Sequence, residues 1–226
     1  MADAHKKEAS EETNWEKAAK TRMGKYLTQI ETKFIQNSIN ISSLNVIMDV
    51  GAEAGRFSQL SNSNAETISI DINSYGLKRL KQKTKTINAV QADARKIPFK
   101  TESFDAIFMI EVLDYIPELD QAIAECHRTL KPDGSLIVSF GNKSSLKSKL
   151  RELNGKSYQH SYTSVQQNLK ATGFLVKGKT GYNWLLFGRA SQNSLIPILA
   201  KIERLVGLRR IPSLSPWVIV HAVKPT

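Results

Sequence analysis

Val46-Ile47-Met48-Asp49-Val50-Gly51-Ala52-Glu53-Ala54-Gly55-Arg56 reads as a short buried strand that ends on an acid and runs into a loop of small residues. An apolar run of this length bounded by turn signals suits a strand covered on both faces. Small residues let the backbone approach a ligand closely, and a helix expected over Gly55–Ser61 would offer unpaired N–H groups to an anionic end. The strand itself is expected from Asn45 to Val50, and similar runs recur at Thr67–Ile72, Ile87–Ala92, Phe104–Ile110 and Ser135–Phe140. Helical patterns at Ser74–Lys83 and Glu118–Leu130 separate them. Strands alternating with helices imply parallel strands joined by crossovers, an α/β, doubly wound, mostly parallel sheet with helices on both faces.

Beyond Phe140 the pattern changes. Ser144–Leu153 reads as helical, and Thr163-Ser164-Val165-Gln166 has the spacing of a capping box for a helix ending at Ala171, with Gly173 as its stop. Phe174–Lys179 and Trp217–Val223 read as an antiparallel pair at one sheet edge, bringing the sheet to seven strands. Lys131-Pro132-Asp133-Gly134 is expected to end the fourth helix and turn into the fifth strand. Leu195, Ile198, Leu199, Ile202, Leu205 and Val206 fall at helical spacing among Lys201, Arg204, Arg209 and Arg210, a basic amphipathic insertion over 190–212. Trp15–Gln36 is expected as one helix over the sheet or the site, behind a frayed first dozen residues. The expected organisation is a single domain over 1–226: a helical cover (1–40), a ligand-binding core (41–142) and a substrate side (143–226).

Composition agrees with one domain. The chain has 226 residues, 41% hydrophobic and 23% charged, enough for a sizeable core. The lone Cys126 excludes a disulfide framework and multi-cysteine metal centres, and no metal site is expected. Residues 1–16 carry acids and lack an apolar core, so a cytoplasmic protein is expected rather than a secreted or membrane-spanning one. The formal net charge of +11 is uneven, because residues 142–226 hold 14 basic and only 2 acidic side chains. Such a block attracts phosphates, carboxylates or an anionic membrane.

In an open parallel sheet, ligands bind beyond the carboxyl ends of the strands. There stand the loop Asp49–Arg56, then Asp71, then Asp93-Ala94, then Glu111-Val112-Leu113-Asp114-Tyr115. Asp71 lies where a carboxylate can accept both hydroxyls of a ribose. Three acidic strand ends and one small-residue loop describe a nucleoside pocket. A dinucleotide fingerprint starting at Gly51 would need glycines where Glu53 and Arg56 stand, which disfavours NAD. Gly173–Thr180 spells a phosphate-loop motif, but a helix precedes it and its middle is an apolar strand, so the match is fortuitous.

The segments VIMDVGAEAGRF, ISIDIN, QADARKIPFKTESFDAIFMIEVLDYI and ECHRTLKPDGSLIVS resemble, in order and spacing, the class I S-adenosylmethionine-dependent methyltransferases, especially those grouped as methyltransferase type 11. The resemblance implies a Rossmann-like fold, S-adenosyl-L-methionine as methyl donor and S-adenosyl-L-homocysteine as product. It implies that Asp49, Gly51, Ala52, Glu53 and Gly55 surround the methionine part and that Asp71 holds the ribose hydroxyls. Ile72 would pack on the adenine, Asp93 and Ala94 would meet its polar edge, and Glu111 and Val112 would line the floor near the sulfonium. Relatives usually carry glycine where this chain has Glu53; the expected alternatives are a carboxylate that faces solvent, one that meets the cofactor's amino group, or one that repels the cofactor's own carboxylate. Asp105 opens its strand at the opposite end of the sheet and reads as structural.

Methyl transfer from a sulfonium needs alignment and exclusion of water more than acid–base chemistry. Candidates to assist an acceptor are Asp114 and Tyr115, and His160 with its neighbours Tyr158 and Tyr162; a plain surface histidine is the competing reading of His160. The acceptor is expected to be a small molecule, lipid-linked, glycosylated or anionic, with peripheral contact to an anionic membrane. An RNA or protein methyltransferase is the alternative, disfavoured by the absence of a Pro-Pro dipeptide and of an aromatic-basic appended domain; a cofactor-binding protein without turnover is a third.

Overall fold

The alternating pattern becomes a seven-stranded sheet in a computed structural model that describes residues 11–60, 65–153 and 158–226. The strands are β1 (Val46–Val50), β2 (Glu66–Asp71), β3 (Asn88–Gln91), β4 (Phe104–Ile110), β5 (Leu130–Gly141), β6 (Leu175–Tyr182) and β7 (Trp217–Val223). Their order is β3-β2-β1-β4-β5-β7-β6, with β1 to β5 parallel and β7 antiparallel to both its neighbours. The reversed strand thus stands second from the edge and pairs with the edge strand β6. The helices are α1 (Asn14–Ala19), α2 (Arg22–Ser38), α3 (Ser74–Lys83), α4 (Leu119–Thr129), α5 (Leu146–Glu152), α6 (Tyr162–Ala171) and α7 (Ile196–Leu205).

Each face of the sheet carries its own apolar layer. Met48, Ile107, Met109, Val138 and Val220 face a cluster completed by α4 and α6, whereas Ile47, Phe108, Ile137 and Ile219 face one completed by α2 and by Ile196 of α7. Alternation along β4 and β5 assigns successive residues to opposite layers. Each such buried side chain contributes roughly 1.5–3 kcal/mol. Asp105 stands at the amino end of β4 as expected, accepting from the amides of Asn45 and Val46 and from Lys131 Nζ at 2.7–2.8 Å.

Several local expectations change. The single N-terminal helix is two, because Thr21 caps a second helix by accepting from the Gly24 amide at 3.0 Å. A Cβ at Gly24 would stand 2.0 Å from the Ala18 carbonyl oxygen, so the tight corner between α1 and α2 requires glycine. The capping box of α6 is formed by Ser161 and Ser164, two residues before the expected start. The helix expected over Gly55–Ser61 is absent: residues 53–59 make successive turns, with positive φ at Glu53 and Gly55, and Ser61 lies outside the described residues. Lys131–Gly134 is an irregular excursion within β5 rather than a separate turn, since Lys224 pairs with Asp133 and Gly134. The expected fraying falls mostly on residues 1–10, which are outside the described residues, as is Lys156 in the loop before Ser161. Gly173–Thr180 is a turn running into β6, so the phosphate-loop match has no structural counterpart. Among the described residues no helix is long and apolar enough to cross a membrane.

Candidate functional site

The strand order reverses between β1 and β4, and the chain leaving each of their carboxyl ends turns over that point. Gly51 and Ala52 turn off β1 with both amides on the Ile70 carbonyl, at 2.8 and 3.1 Å. Gly51 has φ +68°, and a Cβ there would stand 2.3 Å from Val112 Cγ2. The loop thus fits under Val112 only with glycine at its first position.

One cavity of about 810 Å³ opens there. Asp49, Gly51, Ala52, Glu53, Asp71, Ile72, Asp93, Ala94, Glu111, Val112 and Tyr115 all line it. Gly55, Asp114 and His160 do not. Asp71 Oδ2 accepts from the Glu53 amide and Oδ1 from the Asn73 amide, each at 2.8 Å. Ile72 is 68% exposed along the wall, leaving an apolar surface. Asp93 is held by Arg95, which also reaches Glu118 at 2.7 Å; the Arg95 guanidinium keeps the Asp93 carboxyl below its usual range.

Glu53 takes a left-handed conformation (φ +46°), so the backbone keeps a shape ordinarily left to glycine. Burial pushes its carboxyl up, against hydrogen bonding from the Thr13 side chain and the Ala54 amide. Its side chain thus engages the N-terminal cover. That cover is strapped down by Glu16, paired with Arg79 (3.2 Å) and Lys83 (3.1 Å), while Lys83 also donates to the Ala54 carbonyl at 2.7 Å. Trp15, Glu16 and Ala19 of α1 line the cavity as its roof.

Asp49 is buried beneath the loop, accepting from the Ser58 hydroxyl at 2.6 Å. Burial raises its carboxyl to about 7, opposed by the Ser58 hydrogen bond and the Arg56 charge. Because the folded state favours the protonated form, stability from this group is complete below about pH 4 and declines as pH rises to about 7. Asp49→Asn is expected to flatten the fall in unfolding free energy, read from urea titrations, between those limits, by up to a few kcal/mol. Identical pH slopes for the two proteins would contradict this.

At the far end of the cavity, buried charges form a chain that the sequence reading missed. Glu31, fully buried in α2, accepts from Tyr182 Oη at 2.6 Å and pairs with Arg56 at 3.2 Å. Arg56 also reaches Glu111 at 3.2 Å, and Glu111 pairs in turn with Arg189. The Arg189 guanidinium lies 4.5 Å from the Trp15 ring centre and 5.8 Å from that of Trp217. Burial, with the neighbouring Arg56 charge, lowers Arg189 to about 9. Glu111 itself is non-glycine at φ +63°, backbone strain of the kind that concentrates at functional sites. A glutamate inside the apolar stripe Tyr26, Leu27, Ile30, Phe34 was the one available signal for this chain; Arg189 gave none.

The three assisting candidates separate. Tyr115 faces the cavity, 67% exposed, its phenol pushed up by burial and by Asp114. Asp114 lies behind it, accepting from the Gly141 amide at 3.2–3.3 Å, with its carboxyl raised to about 6 by burial. His160 is not a surface residue: it is 8% exposed, and its Nε2 donates to the Ile116 carbonyl at 2.7 Å. The two side chains brace the Val112–Ile116 turn from below.

Residues 48–138 match the family described as "Methyltransferase domain". Malonyl-[acyl-carrier protein] O-methyltransferase of Methylococcus capsulatus is 33% identical over 140 residues, 57% of this chain and 51% of that protein. The ubiquinone/menaquinone biosynthesis C-methyltransferase UbiE of Erwinia tasmaniensis is 34% identical over 102 residues, 41% of each. The chain therefore spans about half or less of the length of these relatives. The crystal structure of a SAM-dependent methyltransferase from Archaeoglobus fulgidus superposes with a TM-score of 0.64 at 17% identity, covering 88% of this chain and 94% of that one, a likeness of fold.

Proposed function

We infer, for a chain whose residues 48–138 belong to the class I S-adenosylmethionine-dependent methyltransferases, that it transfers a methyl group from S-adenosylmethionine to a small-molecule acceptor bearing an anionic group. The observation that carries this reading is the continuity of one cavity from Asp71 and the Gly51 loop to the Glu111–Arg189 pair beneath Trp15. Its volume lies within the range of small-molecule sites.

The donor set suits the cofactor. Asp71 keeps acceptor capacity for ribose hydroxyls after its two backbone contacts, Ile72 offers an apolar wall, and the Gly51 cradle admits close backbone approach. When bound, S-adenosylmethionine supplies a methyl carbon made electrophilic by the sulfonium. The protein's part is then positioning and exclusion of water. Trp15 and Ala19 roof the chamber, Tyr115 presents a protonated phenol to orient the acceptor, and Asp114 and His160 hold the turn that carries it. Glu111 is placed to face cationic charge, and Arg56 and Arg189 to face anionic charge, so an anionic acceptor compensates the added cation of the cofactor. The relatives' names, a malonyl-[acyl-carrier protein] O-methyltransferase and a ubiquinone/menaquinone biosynthesis C-methyltransferase, support a small-molecule or carrier-linked acceptor, and the first of them alone speaks for an anionic one.

Incubation with methyl-labelled S-adenosylmethionine and a panel of carboxylic acids and quinols tests the reading. Arg189→Gln is expected to raise the acceptor KM about 10-fold or more, the loss of one charge-assisted contact, with little change in cofactor affinity. Label appearing in no acceptor, or in one whose KM ignores Arg189, would contradict it.

A further inference from the structure

We propose that the outer face of α7, together with the adjoining α5, seats the protein on an anionic lipid bilayer. Helix α7 is apolar on two sides. Its inner side is accounted for: Ile196 is 1% exposed, and the buried Glu203 carboxylate holds Tyr26 Oη at 2.5 Å, the Trp184 amide at 3.2 Å and Arg209 Nε at 3.0 Å. Its outer side is not. Ile198, Ile202, Leu205 and Val206 recur at helical spacing and are 58%, 47%, 71% and 66% exposed, and Leu195, just before the helix, is 52% exposed. A surface helix ordinarily keeps one apolar stripe, turned to the core, and an exposed apolar patch of several large side chains marks an interaction surface.

Charge beside the stripe selects the occupant. Lys201, Arg204 and Arg210 are exposed alongside it. Glu203, one of the two acids in residues 142–226, is turned inward. Helix α5 carries a smaller patch: Leu146, Leu150 and Leu153 share one helical stripe and are 71%, 49% and 82% exposed, with Lys143, Lys149 and Arg151 and the single acid Glu152 exposed near it in sequence. The two helices grip the same segment, since Lys147 Nζ donates to the Leu185 carbonyl at 2.6 Å and Glu203 accepts from Trp184, leaving Leu186, 82% exposed, between them. Apolar side chains fringed by lysine and arginine, without exposed acids on α7, complement an interface of acyl chains under anionic headgroups. A basic surface for nucleic acid would need no leucines, and the core of a protein interface is depleted in charged side chains, lysine above all.

Co-sedimentation with vesicles of three parts phosphatidylcholine to one part phosphatidylglycerol tests the proposal. The protein is expected to bind them at low salt, at least about 10-fold more weakly when phosphatidylglycerol is omitted, and progressively less as salt rises. Ile198→Glu with Leu205→Glu, both at exposed positions, is expected to weaken partition by about 10-fold or more, and Lys201→Glu with Arg204→Glu to remove the preference for anionic lipid. Calorimetric binding of S-adenosylmethionine by both variants is expected to stay at the wild-type level, which separates this proposal from the methyltransferase reading. Absence of vesicle binding at low salt, equal binding to neutral vesicles, saturable RNA binding without vesicle binding, or a stable dimer dispersed by the Ile198/Leu205 variant would each overturn it.

Discussion

Asp71→Ala is expected to bind S-adenosylmethionine at least about 100-fold more weakly than the wild-type chain while remaining folded. Two losses combine in that figure. The carboxylate holds the Glu53 and Asn73 amides at 2.8 Å each, so it fixes the loop after β1 as well as the turn after β2, the two segments proposed to receive the cofactor. On the proposed reading it also accepts from the ribose hydroxyls, and charge-assisted hydrogen bonds contribute about 1.5–3 kcal/mol each. Losing about 3 kcal/mol of binding free energy corresponds to roughly 100-fold in Kd. Asp71→Asn keeps one carbonyl acceptor and the side-chain volume, and should fall between the two proteins. Calorimetric titration reads all three; equal affinities for wild type and alanine variant would remove Asp71 from the site.

Arg56→Met is expected to cost stability rather than cofactor affinity, by about 3–5 kcal/mol at neutral pH. Arg56 is the only cation within 4 Å of Glu31 among the described residues, and it also bridges to Glu111. Without it Glu31, fully buried in α2, keeps the Tyr182 hydroxyl but no counter-charge, whereas Glu111 keeps Arg189. An uncompensated buried carboxylate has its pKa raised in the folded state, so the added destabilisation is expressed at high pH and is relieved as pH falls and the group takes a proton. Urea unfolding of the variant should therefore approach wild type toward acid pH, and Glu31→Gln in the same chain should recover most of the loss. A deficit below about 1 kcal/mol that ignores pH would show that the chain of charges is not held as a unit.

The architecture was legible because it rests on local apolar pattern. Five runs such as Val46–Val50 and Phe104–Ile110 are strands of the parallel part of the sheet, and the acids and small residues closing them meet where the strand order reverses. What escaped the sequence depended on long-range contact. The helix expected after Gly55 gave way to turns because Glu53 and Gly55 adopt left-handed backbone under α3 and the Asp71 carboxylate takes the Glu53 amide. His160 looked like a surface residue because nothing near it in sequence reveals that the Ile116 carbonyl lies against its ring. Arg189 comes from the segment before α7, and only folding brings it to Glu111 and between two tryptophans distant from it in the chain.

The same separation divides the molecule's tasks. Local sequence builds the proposed cofactor end, Gly51 through Asp93, within the matched residues 48–138. On the proposed reading the acceptor end combines Arg56, Glu111 and Tyr115 from within the matched residues 48–138 with Trp15 of α1, Glu31 of α2 and Arg189 of the segment before α7 from outside them. On that reading, variants of Trp15 or Arg189 should alter acceptor choice while leaving Asp71 and cofactor binding unchanged.

The most direct measurement is calorimetric titration of the wild-type chain with S-adenosylhomocysteine, followed by competition with S-adenosylmethionine. One molecule bound per chain, displaced by the methylated form and lost in Asp71→Ala, is the expected result. No heat of binding for either compound, or binding that survives intact in that variant, would contradict a nucleoside site at the carboxyl ends of β1 and β2.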